Sequence, residues 1–243
     1  LPPEQVFSFR HSDDPRKDEE WKKKILEQDG ILIFEREYNL NYAASVEGIC
    51  IPAAWVMSAV EFPLPQTEDD IICGFDVAGE GDNFNSIAPR KGSTILPLKK
   101  WKGVVPAESA NIAMRHAEEL GAVQVNYDCL GPGEAVKAAW DIMSKDAEQG
   151  GAGLPFKAVP IIGQEHPSDR VWADGKTSKQ KFRNVRAEMW WILRTKFQHT
   201  YEYVQWLQDQ SKGAYHDPSE LISIPRDEQL ISELSTPLIQ PVN

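Results

Sequence analysis

The residues from Ile71 to Asp82, reading Ile-Ile-Cys-Gly-Phe-Asp-Val-Ala-Gly-Glu-Gly-Asp, constrain this chain more than any other stretch. A short apolar run ends in a carboxylate, Asp76, and a glycine-rich turn follows. The pattern recurs from Ala122 to Asp128, with Cys129-Leu130-Gly131-Pro132-Gly133 as the turn. Apolar runs of this length between turn residues read as buried strands. Laid side by side, two such strands put Asp76 and Asp128 at one rim of a sheet. Paired carboxylates at strand ends are a means of holding hard divalent cations, which prefer oxygen ligands.

The surrounding pattern supplies the rest of such a sheet. Pro63 and Pro65, followed by Glu68, Asp69 and Asp70, mark a domain boundary near residue 66, leaving 1–66 as a small N-terminal extension and 67–243 as the main domain. In the extension a charged loop and a helix stop at Gly30, Ile31–Phe34 is strand-like, and Ala53–Val60 reads as a short helix. Beyond the boundary, Ile71–Val77, Phe84–Arg90 and Ser93–Lys102 predict a three-strand meander. Pro106–Leu120 predicts a helix with Ile112, Ala113, His116 and Leu120 on one face. Val123–Tyr127 is then reached by a crossover and is expected parallel to the first strand. Glu134–Gln149 predicts a helix burying Val136, Ala139, Trp140 and Met143, and Phe156–Ile162 a fifth strand. Gly163–Thr177 is a long polar loop, either functional or disordered. The spacing next predicts a helix over Ser178–Gln198, a second over Tyr201–Gln210 and a short strand at Leu221–Ile224. A helix over Asp227–Leu234 and an edge strand at Leu238–Val242 complete the chain. This order describes an α/β protein of the ribonuclease H-like class, a mixed sheet flanked by helices.

Composition narrows the function. The 243 residues carry a formal net charge of -11, which by itself argues against nucleic-acid binding. The sum hides a local excess. Lys176, Lys179, Lys181, Arg183, Arg186, Arg194 and Lys196 face a single acid, Glu188, within 21 residues. Such a segment suits a phosphate backbone, and reads equally as a solvated helix face. No apolar run approaches the roughly 20 residues of a membrane span. The N-terminus lacks the basic and apolar regions of a signal peptide, and it lacks Met, as a piece of a longer chain would. Cys50, Cys73 and Cys129 are expected as buried free thiols. The five histidines lack the spacing of metal-ligand pairs, and no motif supports Ser/His/Asp or Cys/His catalysis.

Three groups of residues carry a resemblance. Asp14-Pro15-Arg16-Lys17-Asp18-Glu19-Glu20-Trp21, with Tyr42 to Gly48, looks like the end of the ATPase domain of a tailed-bacteriophage terminase large subunit, the motor that packages DNA into the capsid. Gly74 to Asp82 resembles the first strand of its nuclease domain, and Val125 to Asp128 with Gly131-Pro132-Gly133 its second catalytic strand. Lys181 to Trp191 and Ile224 to Leu234 also fit, in the family's order. Two features depart from the family. There is no Gly-x-x-x-x-Gly-Lys-Ser/Thr phosphate loop, so no ATPase site is expected in this chain. The family's Ser-Pro-Asp-like segment, source of a third metal-binding carboxylate, is expected to begin where the chain reaches Pro241-Val242-Asn243.

The resemblance implies a metal-dependent endonuclease that cuts concatemeric double-stranded viral DNA by two-metal hydrolysis. The ions would be Mg²⁺ or Mn²⁺, roughly 4 Å apart, with Asp76 bridging both and Asp128 holding one. Asp128 reads alternatively as a cap of the following helix. If residues 78–81 form the turn, Asp82 falls opposite Asp76 and joins the metal shell, and otherwise it is an ordinary turn residue. Lys176, Lys179, Lys181, Arg183 and Arg186 would contact phosphates, and Gly163–Thr177 would gate or guide DNA. Glu134 suits the helix dipole better than a metal. Trp190 and Trp191 are expected to pack in the core or between domains. The implied partners are the portal protein and the small terminase subunit, in the host cytoplasm and without a membrane. The isolated domain would be monomeric and the full subunit part of a ring. Two other readings remain: a non-cutting, DNA-guiding or portal-docking module, because the third carboxylate is missing, and another ribonuclease H-like nuclease such as a junction resolvase.

Overall fold

A computed structural model describes residues 14–24, 48–148 and 150–239. The expected Ile31–Phe34 strand, the Gly30 stop and the Tyr42–Gly48 motif up to residue 47 lie outside these residues, as do residues 240–242 of the last expected strand. The described residues divide into two compact units, one holding residues 59–226 and the other those up to 58 with 227–239.

In the larger unit, β1 (Ile71–Asp76), β2 (Asn85–Lys91), β3 (Thr94–Ile95), β4 (Lys99–Trp101), β5 (Gln124–Asp128) and β6 (Lys157–Ile161) form one sheet. Its order is β3-β2-β1-β5-β6, with β4 also paired to β2. β1 is antiparallel to β2 and parallel to β5, and β5 is parallel to β6. The meander and the parallel crossover therefore stand as expected. The third strand of the meander differs, because Pro97 has no N–H to give the ladder. Leu96 still donates to the Pro89 carbonyl at 2.8 Å in the register of β3, but beyond Pro97 the pairing with β2 slips by one residue, and the strand splits into β3 and β4.

One face of the sheet is apolar. The side chains of Cys73, Phe75, Val125 and Tyr127 point to it, in the alternation of half-buried strands. α2 (Pro106–Glu119) and α3 (Gly133–Glu148) cover them. Trp140 of α3 is the centre: Tyr127 and Phe156 meet it edge-on at 4.9 and 5.3 Å, and Phe75 lies at 6.1 Å. Val136 is buried beside it as expected. The buried stripe of α2 is Ser109, Ala110, Ala113 and Ala117, so that Ala113 of the expected face is buried while the stripe is rotated away from Ile112, His116 and Leu120. Small side chains let the helix approach the sheet, while Ile112 and Leu120 stay half-buried.

The other face carries one long helix. The break expected near His199 is absent. α4 (Ser178–Lys181) ends instead at extended residues 182–184, and α5 (Val185–Gln208) then runs 24 residues unbroken. Asn184 starts it, its side chain accepting from the Ala187 N–H at 3.0 Å. Thr200 lies inside it: its hydroxyl donates to the Lys196 carbonyl at 2.9 Å and accepts from the Ile222 N–H at 2.9 Å. Arg186 at the start of α5 donates its N–H to Gly163 after β6, and Lys196 reaches Ser93 beside β3. The helix thus crosses the sheet from one edge to the other. Leu221–Ile224 forms isolated bridges, from Ser223 to Thr94 and Ile224 to Val60, in place of a strand. The three cysteines are buried free thiols, and burial pushes Cys73 up to about 11.

In the smaller unit, residues 19–24 are helical, and Asp14 accepts from both the Arg16 guanidinium and its backbone N–H. α1 (Ala53–Ala59) and α6 (Glu228–Leu234) form where short helices are expected, the latter capped by Asp227, which accepts from the Leu230 N–H at 2.9 Å. The expected last strand shows one isolated bridge, Leu238 to Ile49. Among the described residues no helix is long and apolar enough to cross a membrane.

Candidate carboxylate site and its cationic rim

The register of the parallel pair builds the site. β1 and β5 align Ile72 with Gln124 through to Phe75 with Tyr127, so the next step sets Asp76 beside Asp128. Neighbouring strands lie about 4.8 Å apart, and side chains alternate between faces. Both carboxylates therefore leave the C-terminal rim on the α5 side, away from the Trp140 core. Asp76 is exposed and Asp128 half-buried. The expectation that two strand ends would bring these acids together is what the register delivers.

Asp128 also closes a turn, although it does not cap the following helix, which begins at Gly133. Its Oδ1 accepts from the Leu130 N–H at 3.0 Å, and its Oδ2 lies 3.8 Å from Nη2 of Arg186. The turn and the rim carboxylate are thus two uses of one side chain, one for each oxygen. Gly133 makes this turn possible, since a Cβ there would stand 1.9 Å from the Asp128 carbonyl oxygen.

Asp82 does not sit where a tight turn would put it. The loop between β1 and β2 is wide, residues 77–84, and the residue opposite Asp76 is Ser86. Asp82 stands exposed on the bend. Asn85, buried at the head of β2, steadies that loop by accepting from the Ala78 N–H at 2.9 Å. Glu134 lies exposed in the first turn of α3, where its charge suits the helix dipole. Among the described residues, no third carboxylate, cysteine or histidine joins Asp76 and Asp128 closely enough to complete a three-ligand group.

The basic segment separates into cations with different tasks. Arg186 reaches the carboxylate rim, and Arg183 is exposed just before α5. Lys179 pairs with Asp169 at 2.6 Å and Lys181 with Asp174 at 2.8 Å, both acids of the preceding loop. Lys176 is exposed, its backbone N–H donating to Asp174. Lys196 is an internal strut, donating to the carbonyls of Ser219 at 2.7 Å and Leu221 at 3.3 Å, and burial lowers its pKa. It is not placed for a phosphate. Trp190 and Trp191 are half-buried on α5, and Arg194 lies over the Trp191 ring.

The loop 163–177 is ordered, and Glu188 is its anchor. This carboxylate is 5% exposed, accepts from the Ser168 hydroxyl and N–H at 2.5 and 2.8 Å, and from the Ser178 hydroxyl at 2.7 Å. Burial alone would raise its pKa, but the hydrogen bonds from Ser168 and Ser178 outweigh that and hold it below the usual value. Trp172 closes the loop, donating from Nε1 to Ser178 at 2.9 Å between the cations of Arg170 and Lys181. Glu188 was visible in the sequence only as the odd acid in a basic run. The serines that hold it stand 20 and 10 residues earlier, a spacing no local pattern records. An open cleft lined by Glu118, Val123 and Phe156 lies at the opposite ends of β5 and β6, away from the carboxylates.

Strand order, the antiparallel meander beside a parallel pair, and helices on both faces define the ribonuclease H-like α/β class. Within it, the chain shares its fold with large terminase nuclease domains. It is similar to the nuclease domain of the large terminase subunit gp2 of bacterial virus Sf6, with 22% identity and a TM-score of 0.63 over 76% of this chain and 80% of that one. A mutant of the same domain with manganese matches at a TM-score of 0.61, again 22% identical, over 76% and 80%. The large terminase nuclease of thermophilic phage G20c with bound magnesium is 12% identical, with a TM-score of 0.48 over 79% and 81%. No family model and no curated protein sequence matches the chain.

Proposed function

We propose that this chain is a metal-dependent endonuclease of a viral DNA-packaging motor, with Asp76 and Asp128 as its metal-holding carboxylates and the Arg183–Arg186 corner as its phosphate contact. The observation that carries this reading is the register that sets the two acids side by side at the C-terminal rim. The donor set fits a hard divalent ion: carboxylate oxygens at the ends of adjacent strands. Two bound Mg²⁺ or Mn²⁺ ions would supply the Lewis acidity that activates water and stabilises the leaving oxyanion.

The chain's own residues do the rest. Leu130 fixes Oδ1 of Asp128, so the carboxylate cannot swing away from Asp76. Arg186 partly offsets the negative charge of the rim, which otherwise repels a phosphodiester. The Glu188-anchored loop gives the incoming backbone a formed wall. Contacts of this kind to phosphate are sequence-independent, as cutting of concatemeric double-stranded DNA requires. The further reading places the protein in the host cytoplasm, with residues 1–66 as the end of an ATPase domain or linker. The portal protein and the small terminase subunit are its partners there, and the isolated domain is monomeric. Asp82 remains a candidate third ligand if the 77–84 loop closes over the rim.

Digestion of supercoiled plasmid with Mn²⁺, Mg²⁺ or EDTA, beside Asp76→Ala and Asp128→Ala, tests the proposal. Metal-dependent nicking lost in both variants supports it. No cutting by folded wild-type protein defeats it and leaves the DNA-guiding module. Preference for branched over linear duplex would favour a resolvase.

A further inference from the structure

Far along α5 from the carboxylate rim, four side chains converge that the spacing of the histidines in the sequence does not reveal. His199 and Glu202 lie one turn apart on α5. The chain leaves the helix at Gln208, loops back, and lays His216 flat on His199, the rings 4.0 Å apart and 11° from parallel. Gly213 permits the return: at φ 68° it sits where a Cβ would stand 2.0 Å from the Glu202 carbonyl oxygen. The segment beyond His216 is pinned to α5 by Lys196 at the Ser219 and Leu221 carbonyls, and by Thr200 at Ile222. Asp217 caps the single 3₁₀ turn Pro218–Glu220, and the Glu220 carboxylate folds back to accept from the Asp217 N–H at 3.2 Å.

Within this frame the polar atoms are arranged as a ligand set. His216 Nε2 is 2.8 Å from Oε2 of Glu202, and His216 Nδ1 is 4.0 Å from Oε2 of Glu220. With Nε2–H donating to Glu202, the lone pair of His216 is on Nδ1, toward Glu220. One donor atom each from His199, His216 and Glu220 lies within 4.8 Å of the others. A carboxylate that holds the far nitrogen of a ligating imidazole is the usual support of a metal-bound histidine. The side chains of His216 and Glu202 are 14% and 30% exposed, and that of Glu220 is 52% exposed, so the group is held firmly on one side and opens to solvent on the other.

We propose that His199, His216 and Glu220 bind a borderline divalent transition metal, of which Zn²⁺ is the type, with Glu202 as the positioning carboxylate. Two imidazoles and one carboxylate suit zinc, cobalt or nickel and disfavour magnesium, so the site is chemically separate from the Asp76–Asp128 rim. Metal–ligand distances of about 2.0–2.2 Å require the donors to close on the ion: the half-exposed Glu220 rotates in, and the His199 ring turns out of its stack so that its in-plane lone pair meets that of His216. The bound ion would staple the 213–220 return segment to the middle of α5.

The test is calorimetric titration of the full chain with Zn²⁺ in the presence of excess Mg²⁺, with melting temperature read alongside. One Zn²⁺ per chain and a Zn²⁺-dependent rise in melting temperature are expected. His199→Ala and Glu220→Gln should each weaken binding by at least about tenfold, and Glu202→Gln by about 10–100-fold, the range for loss of a supporting carboxylate. Asp128→Asn should leave the affinity unchanged. The proposal is overturned if folded wild-type protein takes up no stoichiometric Zn²⁺, or if Glu220→Gln and His199→Ala, shown folded by circular dichroism, bind it as tightly as wild type. Loss of binding in Asp128→Asn would equally overturn it, by moving the zinc to the carboxylate rim.

Discussion

On one face of the sheet, Trp140 is ringed by Phe75, Tyr127 and Phe156 under two helices. On the other, α5 and the loop before it are tied down by polar groups: Glu188 to Ser168 and Ser178, Lys196 to Ser219 and Leu221, and Thr200 to Ile222. The first face is held by area removed from water, which tolerates small shifts and depends little on direction. The second is held by hydrogen bonds, which are directional and costly to leave unmade when buried. Asp76 and Asp128 open on the second face, and the polar fastening that shapes their surroundings is the kind that a change of pH or of one side chain can release.

The apolar face should show the largest single effect. Trp140→Ala removes the ring that the other aromatics contact, and a buried Trp or Phe cut to Ala costs about 3–5 kcal/mol. Urea unfolding should show a lower midpoint by that amount, with loss of binding and cutting only as a consequence of unfolding. A loss under about 1 kcal/mol would mean that the face is not a close-packed core, and the contrast between the two faces would fail.

Glu188→Gln should cost less overall and act locally. It weakens the charged acceptor for Ser168 and Ser178, and an unpaired buried polar group costs about 1–3 kcal/mol. Limited proteolysis should then cut within residues 164–177, while amide exchange of β1 and β5 stays slow. The same fastening depends on pH. Because the folded carboxyl lies below its ordinary value, its stabilisation is complete above the unfolded value of about 4.3 and is lost as pH falls through the lower folded value. Acid should therefore loosen this loop before it reaches the Trp140 core. Simultaneous release of both regions would show that the loop is held by something other than Glu188.

The same division explains what the sequence made legible. Apolar runs bounded by turn residues marked the two strands, because burial imposes a local pattern, and the crossover between them implied the parallel pairing and so the shared rim of Asp76 and Asp128. Trp140 and Val136 were readable on the same ground. The polar fastenings have no period. Glu188 is held by serines 20 and 10 residues away, and His199 meets His216 only because a loop returns. The position of Asp82 depended on loop width, which glycine content alone does not decide. The split of the third strand at Pro97 and the unbroken run of α5 depart from the expected elements because each rests on pairings, with β2 and with Ile222, that the local pattern does not record.

The smallest expected effect is the sharpest test of the cationic rim. By composition all five candidate cations, Lys176, Lys179, Lys181, Arg183 and Arg186, were equivalent. By structure Lys179 and Lys181 are matched against Asp169 and Asp174, while Arg186 stands at the carboxylates. A cation that neutralises a phosphate releases counterions, and its removal lowers the slope of log affinity against log salt by about 1. A lysine already matched by an acid has fewer counterions to release, and its removal exposes the acid that it covered. Anisotropy titrations of a labelled duplex at several KCl concentrations should thus give Arg186→Ala and Arg183→Ala a slope reduced by about 1. Lys179→Ala and Lys181→Ala should leave the slope near that of wild type. Equal slopes for all four would return the segment to a uniformly charged surface, with the DNA path set by net charge alone. A loss confined to the arginines would place the path at the corner between Gly163 and Asp128, where the backbone of α5 begins.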